Sequence, residues 1–348
     1  SIGSEICRQV AELAPALLVL LDHDETHLHD TAATIPGPTE QALVDIANRS
    51  AVIDTFNQFR PEVVFHAAGH KHVPVLERHP VEAASTNVFG TLNVVEAATG
   101  VGTQRFVQIS SDKAVRPSSV MGATKRLAEQ VVLSRAPGGA SYCTVRFGNV
   151  LGSRGSVIPT FTRQIANGGP VTVTDARMTR FFMSVEEAVQ LVLESSVLSD
   201  GGGEVFMLEM GDPVSILDLA KRMIRLSGFR DGEDIDIEIV GVRPGEKFDE
   251  ELRTPEEEVL NTYHPYINQL IPITASAEHF AAGLEQLRQA TAERDGASVK
   301  QLLFSVGAPV PPGKTAVPAA NGKHDANGTR QQPLPNGSPA QSSEQVLA

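Results

Sequence analysis

Between Ala16 and Phe147 five short apolar runs alternate with stretches of helical spacing, and this rhythm constrains the fold more than any other feature. The runs are ALLVLLD (16–22), QALVDI (41–46), EVVFHAA (62–68), RFVQISS (105–111) and SYCTVRF (141–147). They read as strands buried on both faces, as in a parallel sheet. Helical patterns at Ser50–Phe59, Asn87–Ala98 and Val120–Ser134 separate them, and SIGSE at the start leads into another, marked by Ile6, Val10 and Leu13. Strand and helix in alternation predict an α/β fold, a doubly wound parallel sheet of the Rossmann type. In such a sheet ligands sit beyond the carboxyl ends of the strands, so the chemistry is expected there.

Past Phe147 the rhythm loosens. Ser184 with Glu187 and Ser215 with Asp218 have capping-box spacing and open two helices. Short strands are expected at Pro170–Thr174, Val205–Met210 and Ile235–Val240, and two more helices at Ala277–Arg294 and Ser298–Ser305. The expected organisation is a dinucleotide-binding domain over 1–147, a smaller mixed α/β substrate region with carboxy-terminal helices over 148–306, and a disordered tail over 307–348.

Composition narrows the function classes. A formal net charge of -13 argues against a general nucleic-acid binder but not against a small anionic ligand, which a few local cations and backbone amides can hold. Two cysteines, Cys7 and Cys143, cannot make a disulfide framework and point to a reducing, cytoplasmic compartment. The longest apolar run, Ala14 to Leu21, is too short to span a bilayer.

The strand ends carry the candidate residues. Ser1, Ile2 and Gly3 could close a glycine-rich loop whose helix faces a pyrophosphate, although one glycine before a helix is commonplace. Asp22 ends the next run about 20 residues on, where a carboxylate usually holds an adenosine ribose; its plainer alternative is a turn or helix cap. An acid there favours NAD over NADP. In HAAGHKHV (66–73) the small Ala67, Ala68 and Gly69 allow close approach of a cofactor. Lys71 is a cation for ligand oxygens or else a solvated lysine. His66, His70 and His72 crowd this loop, but no cysteine or carboxylate completes a zinc set, and no metal is expected. Ser110, Ser111, Asp112 and Lys113 end the fourth run, with Met121 and Lys125 one helical turn apart beyond them. An isolated Asp–Lys pair is ordinarily solvated, but an acid and a base together at a strand end suit elimination. In VRPGEKFDEEL (242–252) Arg243 and Lys247 flank a Pro-Gly turn, either a phosphate site or an exposed charged turn. GNVLGSRGSVIP (148–159) is a Gly- and Ser-rich crossover along which a substrate could lie.

Together SIGSE, LLDHDE, RPEVVFHAAGHKHVPVLE, TNVFGTLNVVEAA, ISSDKAVRPSSVMGATKR, RFGNVLGSRGSVIPTF, MTRFFMSVEEAVQLVL and VRPGEK resemble the CapD-type polysaccharide-biosynthesis family. These are nucleotide-sugar 4,6-dehydratases within the extended short-chain dehydrogenases, and the resemblance runs from Ser1 to about Leu252. In short-chain dehydrogenases the residue four before the lysine is a proton-moving tyrosine. Here it is Met121, whose thioether has no proton to move, and members similar to this chain share that methionine. The resemblance implies NAD and a UDP-sugar as ligands. By position it makes Asp112 the general acid and Lys113 the general base. It places Lys125 on the nicotinamide ribose beside Ser110 and Ser111, Asp45 and Ile46 on adenine, and Asn87 behind the cofactor loop. His70, Asn149, Val157, Arg180, Arg243 and Glu246 would face the UDP-sugar. HAAGH and DIAN (45–48) depart from the family pattern, the first by its glycine and the second by carrying less charge.

The implied reaction removes water from UDP-N-acetylglucosamine to leave a 4-keto-6-deoxy sugar. It expects burial to keep Asp112 protonated and Lys113 partly neutral. With methionine at 121 the C4 hydroxyl proton must go to Ser111, Asp112 or an ordered water, Asp112 being favoured. Rival readings are a nucleotide-sugar epimerase and a non-catalytic NAD-binding sensor or scaffold. The resemblance also expects a homo-oligomer, and in long members an amino-terminal membrane region that would hold this domain at the cytoplasmic face of the inner membrane. It places a first strand just before Ser1. That strand is mid-sheet, and without it neighbours spaced for a strand about 4.8 Å from each cannot pair directly.

Overall fold

The computed structural model describes residues 1–273 and 275–307, and the expected disordered tail lies, apart from Gly307, outside them. All five early runs form strands: β1 (Leu18–Asp22), β2 (Thr39–Leu43), β3 (Val63–His66), β4 (Arg105–Ile109) and β5 (Ser141–Arg146). β3, β4 and β5 pair in parallel, and β6 (Glu204–Leu208) joins β5 in parallel as well. The strand expected at 205–210 therefore belongs to the main sheet, which draws on chain from both sides of residue 148. An antiparallel hairpin of β7 (Glu258–Asn261) and β8 (Ile267–Ile271) completes the order β7-β8-β6-β5-β4-β3. EVLN and INQLI do not announce themselves, being short and interrupted by Asn and Gln.

β2 starts two residues before its apolar run, because pairing with β1 sets its register and puts Asp22 opposite Leu43. Asp45 and Ile46 thus fall past the strand end, where the Asp45 carboxylate accepts from the Ala47 amide at 2.9 Å. β1 and β2 pair only with each other, so the expected break between β1 and β3 is present among the described residues.

Successive side chains of the main sheet point to opposite faces. Phe106 and Tyr142 stack at 5.2 Å and join a core with α3 (Arg49–Phe59), α4 (Thr91–Val101) and α5 (Val120–Arg135). Val107, Ile109, Cys143 and Val145 face the other way, toward α1 (Ile2–Glu12) and α7 (Val185–Leu198). Helices on both faces make the sheet doubly wound. The chain before α4 is helical from Pro80 and passes through a π turn at Ala84–Gly90, a local widening often found at functional sites.

A smaller core gathers Phe161 and Ile165 of α6 (Val157–Ala166), Ile216 and Ile224 of α8 (Ile216–Leu226), and the parallel pair Val171–Val173 and Ile237–Ile239. The hydroxyls of Ser184 and Ser215 cap α7 and α8 as their spacing predicts, accepting from the amides of Glu187 and Asp218. Among the described residues no helix is long and apolar enough to cross a membrane.

Candidate active site

A cavity of ≈ 1770 Å³ runs from the break between β1 and β3 to the carboxyl ends of β3 and β4. Its floor is the turn after β4. The amides of Ser110 and Asp112 donate to the carbonyls of Val145 and Phe147 at 2.8 and 3.0 Å, carrying the β5 contact past the strand end. Ser111 then accepts from the Lys113 amide at 3.3 Å and starts a tight turn over Asp112–Ala114. Ser119 caps α5, which passes directly beneath this turn. A Cβ on Gly122 would collide with the Lys113 carbonyl, so only glycine lets helix and turn approach so closely.

Lys113 gathers three side chains. Its ammonium donates to Asp112 Oδ1 at 3.0 Å and Asn149 Oδ1 at 3.2 Å, and Glu250 Oε1 lies 3.6 Å away. Burial pushes its pKa down, but the Asp112 and Glu250 carboxylates outweigh burial and hold it above the ordinary lysine value. The expectation of a partly neutral Lys113 is therefore wrong for the resting site, where partners and not burial decide the charge. Asp112 is fully buried and does not line the cavity. Its Oδ1 accepts from Ser111 Oγ at 2.8 Å, while Oδ2 has no hydrogen-bond partner. Ser111 does line the cavity and so stands between Asp112 and any ligand.

Lys125 also lines the cleft and donates to the Ile109 carbonyl, at the end of β4, at 3.2 Å. Burial lowers its pKa to about 8, against the pull of Glu129. Asn87, in the π turn, binds the loop after β3 at both ends of one residue: Oδ1 accepts from the His70 amide at 2.7 Å and Nδ2 donates to the His70 carbonyl at 3.0 Å. Nδ2 also reaches Thr124 Oγ1 at 2.9 Å, tying that loop to α5. At Gly69 (φ +154) a Cβ would sit 3.0 Å from Asn87 Oδ1 and 3.5 Å from Lys125 Nζ. The cavity is also lined by Ala67, Ala68, Lys71, Asp22, Asp45, Ile46 and the first turn of α1 with Ser1, Ile2 and Gly3. Asp22 Oδ1 accepts from the Asp24 amide at 3.0 Å, so the carboxylate serves a turn as well as facing the cleft. Ser110 lines the cleft too, but its hydroxyl is turned to Glu129 Oε1 at 2.5 Å. Glu129 and Glu257 together hold the buried Arg146 at 2.8 and 2.9 Å, with Arg146 from β5 and Glu257 from the segment before β7.

Met121 is 3% exposed and packs in the core with Leu127, its edge on the cavity wall. His70, Asn149, Arg243 and Glu246 also line the cavity. Arg180 does so as well, but its guanidinium is spent on backbone, donating to the carbonyls of Thr179 (2.6 Å), Phe248 (2.9 Å) and Lys247 (2.9 Å). It clamps the 247–248 segment rather than reaching into the cleft. Val157 does not line the cavity; as the first residue of α6 it packs against the smaller core. Its apolar side chain is drawn to the amphipathic face of that helix.

Glu250 is a site residue that sequence reasoning missed. It stands in VRPGEKFDEEL, where only Arg243 and Lys247 were singled out, and nothing local shows that this segment folds back onto Lys113 or brings Lys247 to 3.8 Å from Glu250.

Residues 1–272 match the family described as "Polysaccharide biosynthesis protein". The chain belongs to that family. The capsular polysaccharide biosynthesis protein CapD of Staphylococcus aureus is 51% identical over 265 residues, covering 74% of this chain and 44% of that protein. This chain thus spans less than half the length of that relative. A relative in Rickettsia typhi named UDP-glucose 4-epimerase is 38% identical over 61% of this chain and 61% of its own. Among solved structures, Pen from Bacillus thuringiensis superposes with a TM-score of 0.71 at 35% identity, covering 77% of this chain and 84% of that one. DesIV, a dTDP-glucose 4,6-dehydratase from Streptomyces venezuelae solved with NAD, superposes at 0.63 with 20% identity over 72% and 84% of the two chains, a likeness of fold.

Proposed function

We propose that the protein is an NAD-dependent 4,6-dehydratase acting on a UDP-N-acetylhexosamine, foremost UDP-N-acetylglucosamine, in the making of surface polysaccharide. The observation that carries this reading is the Asp112–Lys113 contact behind Ser111 at the end of β4. Elimination across C5 and C6 needs an acid and a base side by side; epimerisation at C4 does not.

The residues fit NAD. The small Ala67, Ala68 and Gly69 line the cleft after β3, Lys125 uses one donor on Ile109 and keeps others for a ribose, and Asp22 lines the cleft at the end of β1. When bound, NAD supplies reversible acceptance of hydride, from C4 and back to C6. The protein's own groups handle the protons. Ser111 Oγ takes the C4 hydroxyl proton while passing its own to Asp112, which removes the need for a tyrosine at 121. Lys113 as an amine takes the C5 proton. Asp112 then returns its proton through Ser111 to the C6 hydroxyl, which leaves as water, and Lys113 gives its proton back to C5. Residues 1–147 would chiefly hold NAD and 148–306 the UDP-sugar, with Arg243 near phosphate. We read the working protein as a homo-oligomer whose longer form sits at the cytoplasmic face of a membrane.

Incubation with UDP-N-acetylglucosamine, followed by mass spectrometry and NMR, tests this. A product lighter by one water supports it. An epimer of unchanged mass would favour the second reading, for which the Rickettsia relative's name speaks, and an untouched substrate would leave a sensor or scaffold.

A further inference from the structure

Two carboxylates meet Lys113, and the reaction above uses only one. Glu250 brings Oε1 to 3.6 Å from Lys113 Nζ with its side chain 4% exposed. Its Oε2 lies 3.8 Å from Lys247 Nζ and is buried with no hydrogen-bond partner. The position is built from several sides. Lys247 donates to the Val115 carbonyl at 2.7 Å, Ser118 to the Gly245 carbonyl at 3.0 Å, and Thr179 to Asp249 at 2.6 Å, while Arg180 clamps the backbone between. A buried carboxylate held this firmly yet incompletely satisfied is not explained by packing, which an apolar side chain would serve better.

We infer that Glu250 is a positioning residue acting through Lys113, receiving the ammonium's proton so that Lys113 enters the reaction as a free amine. The inference rests on the dehydratase reading. An ammonium has no lone pair for the C5 proton. Once the C4 proton reaches Asp112, Glu250 is the remaining anion in contact with Lys113 among the described residues. In a cleft closed over substrate the separated charges lose solvation, and moving one proton from Nζ to Oε1 leaves a neutral pair. One N–H bond breaks and one O–H bond forms. After Lys113 has returned the C5 proton, Glu250 gives its own back and the resting ion pair is restored. The charged groups facing this pair are Asp112 from the turn after β4, Arg180 from a neighbouring short strand, and Lys247 on the same segment as Glu250. Of these only Asp112 could accept a proton as a carboxylate, and it already carries one at that stage.

Glu250→Gln keeps the shape and removes the acceptor. In the NAD-loaded protein with UDP-N-acetylglucosamine in deuterated water, exchange at C5 is expected to be nearly flat over about one to two pH units around neutrality in the wild type. In the variant it should fall about 100-fold and climb about tenfold per pH unit, because hydroxide must then free the amine. C4 oxidation, read as transient nicotinamide absorbance, should change little. Formate should restore part of the exchange in Glu250→Ala. Without cofactor or sugar, the titration of Lys113 followed by NMR of labelled lysine should move to lower pH in Glu250→Gln. A slower variant with the wild-type pH shape and no formate rescue would overturn the inference, and so would an unmoved Lys113 titration. A wild-type protein inert toward UDP-N-acetylhexosamines, with the Lys113 titration still moved by Glu250→Gln, would overturn the dehydratase reading and the proton-receiving step while leaving the ion pair.

Discussion

Lys113 and Lys125 line the same cleft, and both are largely withdrawn from water, yet they hold their charge differently. Lys113 meets Asp112 and Glu250 and is kept charged past the ordinary lysine range, despite its burial. Among the described residues Lys125 hydrogen-bonds only the Ile109 carbonyl, and burial brings its pKa to about 8. The carboxylate one turn along from it, Glu129, is already engaged by Arg146 and Ser110. Burial alone does not set the charge of a lysine; the partners that other segments supply decide it. The difference suits the proposed roles. A base is stored as an ammonium beside the acid it works with, and a lysine that lies against a cationic nicotinamide is poised near neutrality.

Removing either side of the Lys113 pair should have the largest effect. Lys113→Met and Asp112→Asn should each lower dehydration by about 10²–10⁴-fold, the usual range for a positioned acid or base. They should fail at different steps: Lys113→Met should still oxidise C4 but not exchange the C5 proton, whereas Asp112→Asn should suppress the transient nicotinamide absorbance itself. Loss of the same step in both would erase the division of labour drawn between them.

Lys125→Met probes the other lysine and should act on stability. The folded state gives up the Lys125 proton near pH 8, the unfolded chain near the ordinary value of 10.5. Between these the unfolded chain binds more protons, so the wild type gains stability with rising pH. The penalty of burying Lys125 is thus present in full below pH 8 and fades toward 10.5. Relative to Lys125→Met, the wild type should gain up to about 3 kcal/mol across that window, as urea midpoints of the two proteins at several pH values would reveal. Parallel pH profiles would mean that Lys125 is already neutral or well solvated.

The smallest effect is expected at Met121→Leu, one helical turn before Lys125. A volume-conserving swap in a packed wall should change stability by less than about 1.5 kcal/mol and leave most of the turnover. Loss of C4 oxidation in this variant, measured by nicotinamide absorbance, would mean that the thioether does more than fill space.

Much of this was legible locally. Continuous apolar runs marked β1, β3, β4 and β5, and the adjacent Asp112 and Lys113 needed no fold to bring them together. Asn87 was placed behind the loop after β3 by resemblance, and its side chain does bind His70 there. Burial periodicity and chain neighbourhood are properties of a short window, so a linear reading captures them. The register of β2, the membership of β6 in the main sheet, the inward turn of Val157 and the backbone duty of Arg180 depended on contacts between distant segments. So did the charge of Lys113. Asp112 beside it could be read from the sequence, but Asn149 and Glu250 arrive from elsewhere in the chain, and charge in a buried site follows the sum of all neighbours in space. The amino-acid order determined which groups could do the chemistry; the fold decided which of them meet, and therefore in what protonation state they wait.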